Sequence, residues 1–158
     1  MNKFEKISQK RFTADLCGKC DYEDIKLPAR ATKNSAGYDF FAPFGFTLEP
    51  GKSVKIPTGI RVLLDDDKVL LIAPRSGLGF KYRLQLDNTV GVIDADYSGS
   101  DNEGHIFIKI TNDSREEKTL SVAKGEAFAQ GVILQYFKTD DDSACSVRNG
   151  GFGSTNKN

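Results

Sequence analysis

Alternating apolar and polar residues predict short β-strands along most of the chain. The clearest case is residues 105–111, where Ile106, Ile108 and Ile110 share one face and the residues between them share the other. A strict period of two with β-branched residues is typical of a half-buried strand. We predict strands in four segments: residues 54–64 with a break at 57–59, residues 69–73, residues 105–111 and residues 131–137.

Turn-forming residues separate these strands and leave little room for helices. The chain has 15 glycines and no tryptophan. Gly, Pro and Asp recur between the apolar runs at intervals of roughly 8–12 residues, as in an all-β sandwich or barrel. Only residues 1–16 resemble a helix, and their apolar spacing is poor. The pattern therefore predicts an all-β fold.

The composition changes near the carboxyl end and divides the chain into two predicted parts. Residues 138–146 are polar and acidic, and residues 148–158 are mostly Gly, Ser, Asn and Lys around a single Phe152. Such a segment cannot bury enough apolar surface to order itself. We therefore expect a β domain at residues 1–137 and a linker with a mobile arm at residues 138–158.

Length, charge and cysteine content exclude several classes of protein. A chain of 158 residues is expected to form one domain with a core. Its 22 basic and 22 acidic residues give zero formal net charge, so duplex nucleic acid is not expected as the main partner. No run approaches the ~20 apolar residues of a membrane span, and residues 1–10 do not resemble a secretory leader. Three cysteines without framework spacing favour reduced thiols and a cytoplasmic protein.

Two segments beside predicted strands carry candidate chemistry. Residues 74–77 (Pro-Arg-Ser-Gly) combine a guanidinium, a hydroxyl and backbone amides, which suits a phosphate group, although an ordinary turn has the same composition. In residues 88–97, Asp94 and Asp96 follow an apolar run and would lie on one face of an extended chain. A carboxylate there can act as a general base or help to hold a metal ion; a solvated turn is the competing interpretation.

The C-terminal arm contains one aromatic residue among glycines. Arg148 precedes Phe152, and Ser154 and Thr155 follow it. A ring that can stack on a base, with an Arg and two hydroxyls for phosphate oxygens, is typical of a nucleotide lid. A plain linker is the alternative.

Metal and histidine chemistry have little support in the sequence. The pair Cys17 and Cys20 lacks the second pair of ligands that a zinc site requires, so we expect a surface loop there. His105 is the only histidine, and no motif spacing links it to a Ser, Cys or Asp. The sequence therefore does not indicate a Ser-His-Asp or Cys-His catalytic arrangement.

Taken together, these segments resemble the trimeric dUTP pyrophosphatase (dUTPase) family over most of the chain. Five short motifs occur in the family's order, at residues 36–39, 74–77, 91–97, 125–130 and 150–155. The resemblance implies a distorted jelly-roll-like β-barrel that trimerises, with active sites shared between subunits and covered by a flexible C-terminal arm. It also implies hydrolysis of dUTP to dUMP and pyrophosphate with Mg²⁺.

The resemblance assigns catalytic roles to two carboxylates and binding roles to a larger set. Asp94 is expected to deprotonate the water that attacks the α-phosphorus. Asp39 is expected to contact Mg²⁺ through water, while the ion binds mainly to the substrate phosphates. Tyr97 is expected against the deoxyribose, where it would exclude a 2′-hydroxyl, and Phe152 against the uracil. The implied substrate-binding residues are Arg75, Ser76, Gly77, Asn88, Gly91, Val92, Ile93, Tyr97, Gln130, Arg148, Phe152, Gly153, Ser154 and Thr155.

The chain departs from the commonest family pattern in two places. Arg148 stands one residue closer to Phe152 than is usual in the family. Residues 100–103 lengthen the connection after Tyr97, and we expect them to form a longer surface turn beside the pocket.

Two alternatives to a dUTPase stay open on the sequence. A dCTP deaminase has a similar fold, and Gly104-His105-Ile106 echoes its pattern, but Lys109 occupies the position of its catalytic glutamate. A nucleotide-responsive binding protein would keep the pocket and act through a protein partner, with residues 100–104 as its contact loop.

Overall fold

The protein is described from a computed structural model that covers residues 1–146 and 148. In chain order the elements are β1 (Lys3–Lys6), α1 (Gln9–Leu16), a 3₁₀ turn (Tyr22–Asp24), β2 (Tyr38–Phe41), β3 (Phe46–Leu48), β4 (Ser53–Pro57), β5 (Ile60–Leu63), β6 (Lys68–Pro74), α2 (Ser76–Tyr82), β7 (Leu84–Leu86), β8 (Gly91–Asp94), a second 3₁₀ turn (Ala95–Gly99), β9 (Phe107–Asn112), β10 (Leu120–Val122) and β11 (Ala127–Gln135). Strands dominate, which confirms the all-β prediction. Within the described ranges, neither α-helix has the length or apolar character needed to cross a bilayer.

The strands pair antiparallel throughout the described part of the chain. The largest sheet has the order β2-β11-β6-β8, and a second has the order β4-β9-β7. Two further two-stranded pairs are β1-β5 and β3-β10. Strand neighbours are distant in sequence, so tertiary pairing rather than local hairpins defines the fold.

The alternation in residues 105–111 matches the observed burial. Ile106, Ile108 and Ile110 are buried in the core, whereas Lys109 on the opposite face is exposed. The predicted break at residues 57–59 is also observed, since β4 ends at Pro57 and β5 begins at Ile60. Gly59 adopts a φ of +74°, a left-handed conformation that glycine tolerates best.

The four-stranded sheet is apolar on both of its faces. Leu70 and Ile72 point into the core and are 0% and 1% exposed. On the opposite face, Leu71 lies between Val132 of β11 and Val92 of β8. Val92 is 54% exposed and Leu134 is 44% exposed. We call this second side the outer face, comprising Val69, Leu71, Val92, Val132 and Leu134. An apolar sheet face of this kind is normally covered by another packed layer.

Three local predictions differ from the structure. Residues 1–16 form a strand followed by a helix rather than one helix, because β1 pairs with β5 and Phe4 packs edge-on against Phe40. Residues 74–77, for which an ordinary turn was the alternative interpretation, instead span the end of β6 at Pro74 and the start of α2 at Ser76. The strand expected at 131–137 is β11, which begins earlier and ends at Gln135.

Beyond β11 the described chain runs over the surface. The Tyr136 amide donates to the Asp67 carbonyl at 3.0 Å, and its hydroxyl donates to the Asp66 carbonyl at 2.8 Å. Residues 137–146 are exposed. The last anchored residue in this stretch is therefore Tyr136.

Candidate active site

A cavity of about 770 Å³ opens where β7 and β8 diverge. The two strands are joined by a tight turn, in which the Thr89 amide donates to the Leu86 carbonyl at 2.9 Å. They then enter different sheets, β7 beside β9 and β8 beside β6. The separation leaves a cleft between the sheets that falls in the size range of small-molecule sites.

One edge of β8 forms a wall of this cavity. Among the described strands only β6 pairs with β8, so the backbone donors and acceptors on its other edge are open. Gly91, Val92 and Ile93 line the cavity together with Asn88 from the preceding turn. The structure thus brings together four of the substrate-binding residues that the resemblance implies, on an edge that can hydrogen-bond a flat polar ligand.

Asp94 closes β8 at the rim of the cavity. Its side chain is 46% exposed, and it also lines a neighbouring cleft on the outer face. Arg148 forms ion pairs with Asp94 and with Asp96, the latter with 2.9 Å between Nε and Oδ1. The expectation that the two carboxylates lie on one face of an extended chain was wrong, because a 3₁₀ turn begins at Ala95. They are nevertheless adjacent through the guanidinium that both contact.

Tyr97 forms a buried part of the cavity wall. The residue is 6% exposed, and its hydroxyl points into the protein, where it donates to the His105 carbonyl at 2.9 Å. The Asn102 amide donates to the same hydroxyl oxygen at 2.9 Å. Burial raises the pKa of Tyr97 above its ordinary value. The ring is therefore held against the cavity by contacts at its far end.

The turn at residues 100–103 reaches the surface at Asp101, while its other residues pack against the protein. Ser100 is 5% exposed, and the Glu103 carboxylate accepts bonds from both the amide and the hydroxyl of Ser8, at 2.8 and 2.6 Å. Gly104 adopts a φ of +72°, and a Cβ there would lie 2.6 Å from the Ser98 Cα. The turn packs tightly because this glycine allows a close approach.

A second polar cluster lies at the opposite end of the four-stranded sheet. Asp39 on β2 pairs with Arg75, with 3.2 Å between Oδ1 and Nε, and lies opposite Gln130 on β11. The Gln130 amide donates to the Pro74 carbonyl at 3.3 Å. A Cβ at Gly37 would approach the Gln130 Oε1 to 2.7 Å, so the motif at residues 36–39 packs directly against this cluster.

The two polar groups line different cavities in the single chain. Arg75 and Ser76 border a shallower depression of about 420 Å³, and Gly77 beside them is exposed. The sheet register places Asp39 and Asp94 three strands apart and four residues apart along the strands, which corresponds to about 20 Å. The two clusters are therefore well separated within one chain.

Lys109 and Asp87 form an ion pair at the cavity lining that no sequence pattern indicates. The Lys109 Nζ lies 2.6 Å from the Asp87 Oδ2. The hydrogen bond from Lys109, and a second from Thr111, hold the pKa of Asp87 below its usual value. Lys109 stands where a deaminase would carry its catalytic glutamate, so a cation occupies that position.

His105 is fully buried between α1 and the cavity wall. The Gly59 amide donates to its Nε2 at 2.9 Å, so the ring proton is on Nδ1, which lies 2.6 Å from the Asp15 Oδ2. Burial would raise the pKa of Asp15, but hydrogen bonds from Arg11 and His105 outweigh it and leave that pKa lowered. Burial also lowers the pKa of His105, against the opposing effect of Asp15.

The lowered pKa of His105 predicts a loss of stability in mild acid. The unfolded chain takes up a proton near pH 6.5, whereas the folded chain resists it, so the free energy of unfolding should be highest above pH 6.5 and fall below it. His105 is the only histidine, so few other groups titrate between pH 5 and 7 in this chain. Urea unfolding at pH 7 and pH 5 measures the slope, and the variant His105→Gln should flatten it. An equal slope in both proteins would contradict the assignment.

Three remaining expectations concern the C-terminal arm, the Cys17–Cys20 loop and a metal site. Phe152, Gly153, Ser154 and Thr155 lie outside the described residues. Cys17 is exposed and Cys20 half-buried after α1, in keeping with a surface loop. Across residues 1–146 and 148, no three His, Cys, Asp or Glu side chains converge as a metal site.

Comparison with known proteins agrees with this geometry. The sequence model of the dUTPase family matches residues 23–156. A deoxyuridine 5'-triphosphate nucleotidohydrolase of Lactococcus lactis is 41% identical over 134 residues, covering 83% of this chain and 88% of its own, and one from Hahella chejuensis is 42% identical over 140 residues, covering 84% and 88%. The crystal structure of dUTPase from Streptococcus mutans superposes with a TM-score of 0.68 at 34% identity, covering 87% of this chain and 98% of its own, which supports the jelly-roll-like fold. The chain therefore belongs to the dUTPase family.

Proposed function

We propose that this protein hydrolyses dUTP to dUMP and pyrophosphate. The observation that carries the proposal is the cavity beside β8, which combines an open strand edge, the Asn88 amide and the Tyr97 ring with a carboxylate at its rim. An open edge offers alternating donors and acceptors that match the polar edge of uracil. Hydrolysis of dUTP limits the incorporation of uracil into DNA and supplies dUMP for thymidylate synthesis.

Asp94 acts as the general base in this proposal. Its carboxylate takes a proton from a water molecule as the water oxygen attacks the α-phosphorus. The bond from that phosphorus to the bridging oxygen breaks, and pyrophosphate leaves. The position of Asp94 supports the role, because the side chain is half exposed at the end of β8, where solvent and ligand meet.

The donor set fits Mg²⁺ held mainly by the substrate. Mg²⁺ keeps several waters and is bound through one or two carboxylates plus phosphates, so a full protein cage is not needed. Asp39 is partly exposed and engaged by Arg75, which suits contact through a water molecule. When bound, the ion neutralises charge on the phosphates. Arg75, Ser76, Gly77 and Gln130 would bind the phosphate oxygens.

A homotrimer with shared active sites completes the proposed site. Asp39 and Arg75 are separated from Asp94 by about 20 Å along the sheet, so a second chain must bring its Arg75 cluster to the first chain's Asp94. The outer face supports this assembly, because it is apolar, exposed and adjacent to Asp94.

The C-terminal segment is proposed as a lid on this site, with residues 1–137 as the β domain and 138–158 as linker and arm. Arg148 contacts Asp94 and Asp96 and can exchange these carboxylates for phosphate oxygens. Phe152 would stack on the uracil, and Gly153, Ser154 and Thr155 would contact the phosphates. Closure over the nucleotide would exclude water other than the attacking molecule.

We place the reaction in the cytoplasm, because Cys17, Cys20 and Cys145 are free thiols in the structure.

A regulatory role through residues 100–104 is not favoured by the structure. Asp101 is the one exposed residue of that turn. Hydrolysis is therefore the function we retain.

Product analysis tests the proposal. The full-length protein is incubated with Mg²⁺ and each of dUTP, dCTP, dTTP and UTP, and pyrophosphate and ammonia are measured separately. We expect pyrophosphate from dUTP, far less from the other nucleotides, and no ammonia. Ammonia from dCTP would indicate a deaminase, and binding of dUTP without turnover would indicate a nucleotide-responsive binding protein.

A further inference from the structure

The segment between Tyr97 and β9 is connected to α1 at two points. At the start of the helix, Ser8 donates from its amide and its hydroxyl to Glu103. At its end, Asp15 accepts a bond from the buried His105. Hydrogen bonds therefore join the two ends of the helix to the segment that follows Tyr97.

The second connection is unusually well defined. His105 is 0% exposed, and both ring nitrogens have partners, the Gly59 amide at 2.9 Å and Asp15 at 2.6 Å. Arg11 donates from Nε to the same Asp15 oxygen at 2.7 Å, which fixes the carboxylate. Glu103 and Arg11 are the other charged groups whose fields reach the ring. A histidine with both nitrogens bonded cannot rotate without losing a buried hydrogen bond.

The backbone of His105 also holds the Tyr97 side chain in place. Its carbonyl accepts the Tyr97 hydroxyl proton at 2.9 Å, and Asn102 donates to the hydroxyl oxygen. Asn102 belongs to the lengthened turn, and its carbonyl accepts the His105 amide at 3.1 Å. The hydroxyl of Tyr97 is thus fixed from both sides at the end of the ring farthest from the cavity.

We infer that Asp15 and His105 are positioning residues for sugar selection, which hold the Tyr97 ring where it excludes a 2′-hydroxyl. The inference rests on the proposed hydrolysis of dUTP. A ring held only by its Cβ could change its tilt when a ribose binds, because no hydrogen bond would fix its hydroxyl end. The Tyr97 ring must stay rigid to exclude the 2′-hydroxyl of a ribose. An apolar pocket that can adapt its shape discriminates poorly against an added hydroxyl.

The test measures the ratio of kcat/KM for dUTP to that for UTP. It first compares the wild type with Asp15→Ala, Tyr97→Phe and the double variant. We expect each single variant to lower the ratio by about tenfold. Because both act on one hydrogen-bonded chain, the double variant should lower it little further. Asp15→Asn keeps an oxygen acceptor for the His105 ring and should restore most of the ratio. Asp24→Ala, which removes an exposed ion pair with Lys124, is the matched control and should leave the ratio unchanged.

Thermal unfolding distinguishes positioning from simple stabilisation. Asp15→Ala should lower the melting temperature, whereas Tyr97→Phe should lower the sugar ratio with a smaller effect on melting. A ratio unchanged in Tyr97→Phe and Asp15→Ala, or additive effects in the double variant, would overturn the inference. These outcomes leave the proposed function standing, whereas a wild-type protein that does not hydrolyse dUTP would overturn the function itself.

Discussion

Replacing Asp94 by Asn is expected to lower kcat for dUTP by about 10²–10⁴-fold while dUTP still binds. The amide has the shape of the carboxylate but does not accept the proton of the attacking water at neutral pH. The open edge of β8, Asn88 and the Tyr97 ring are unchanged, so the cavity keeps its form. Steady-state kinetics measure kcat, and titration calorimetry with dUTP measures binding to the slow variant.

Asp96→Asn is the matched control for this change. Asp96 also forms an ion pair with Arg148, but it belongs to the 3₁₀ turn after β8 and has no assigned part in proton transfer. We expect its kcat to stay within about tenfold of the wild type, because one exposed ion pair contributes little. Equal losses in the two variants would assign the effect to Arg148 instead of to a general base.

Deleting residues 143–158 is expected to leave a folded core with severely reduced activity. Residues 143–146 are exposed, and before Arg148 the last side chain anchored to the β domain is Tyr136, so among the described residues the deletion removes little buried surface. The deletion removes Arg148 and the proposed lid. We expect kcat/KM to fall by at least about 10²-fold, since closure orders the site and excludes water. Circular dichroism melting and dUTP hydrolysis provide the two measurements.

Lys138→Ala in the full-length chain is the control for the deletion. Lys138 is exposed and lies in the linker that the deletion retains, so both stability and activity should match the wild type. A truncated chain that fails to fold would show that the segment belongs to the core. Full activity without the segment would remove the lid from the mechanism.

The strand content and part of the site were predictable because they depend on local chemistry. The alternation of Ile106, Ile108 and Ile110 follows directly from the two-residue repeat of a strand. Asn88 and residues 91–94 are close in sequence, so their meeting at one cavity wall follows from one turn and one strand. Local patterns report these features without knowledge of the tertiary fold.

The features that the sequence did not predict depend on distant pairing. Residues 1–16 carry no clear signal for β1, which is stabilised by pairing with β5 some 55 residues away. The Asp15–His105 contact joins side chains that are 90 positions apart. The lengthened turn reaches the surface at Asp101, but its sequence does not indicate that Ser8 and Tyr97 are hydrogen-bond partners for it. Polar composition alone does not distinguish a satisfied polar contact from solvent exposure.

An isotope measurement tests the central claim most directly. Hydrolysis of dUTP in ¹⁸O-labelled water, followed by mass spectrometry of both products, identifies the phosphorus that the water attacks. If the water held by Asp94 attacks the α-phosphorus, the label will appear in dUMP and the pyrophosphate will be unlabelled. Label in the pyrophosphate, or no turnover by the folded full-length protein, would contradict the account.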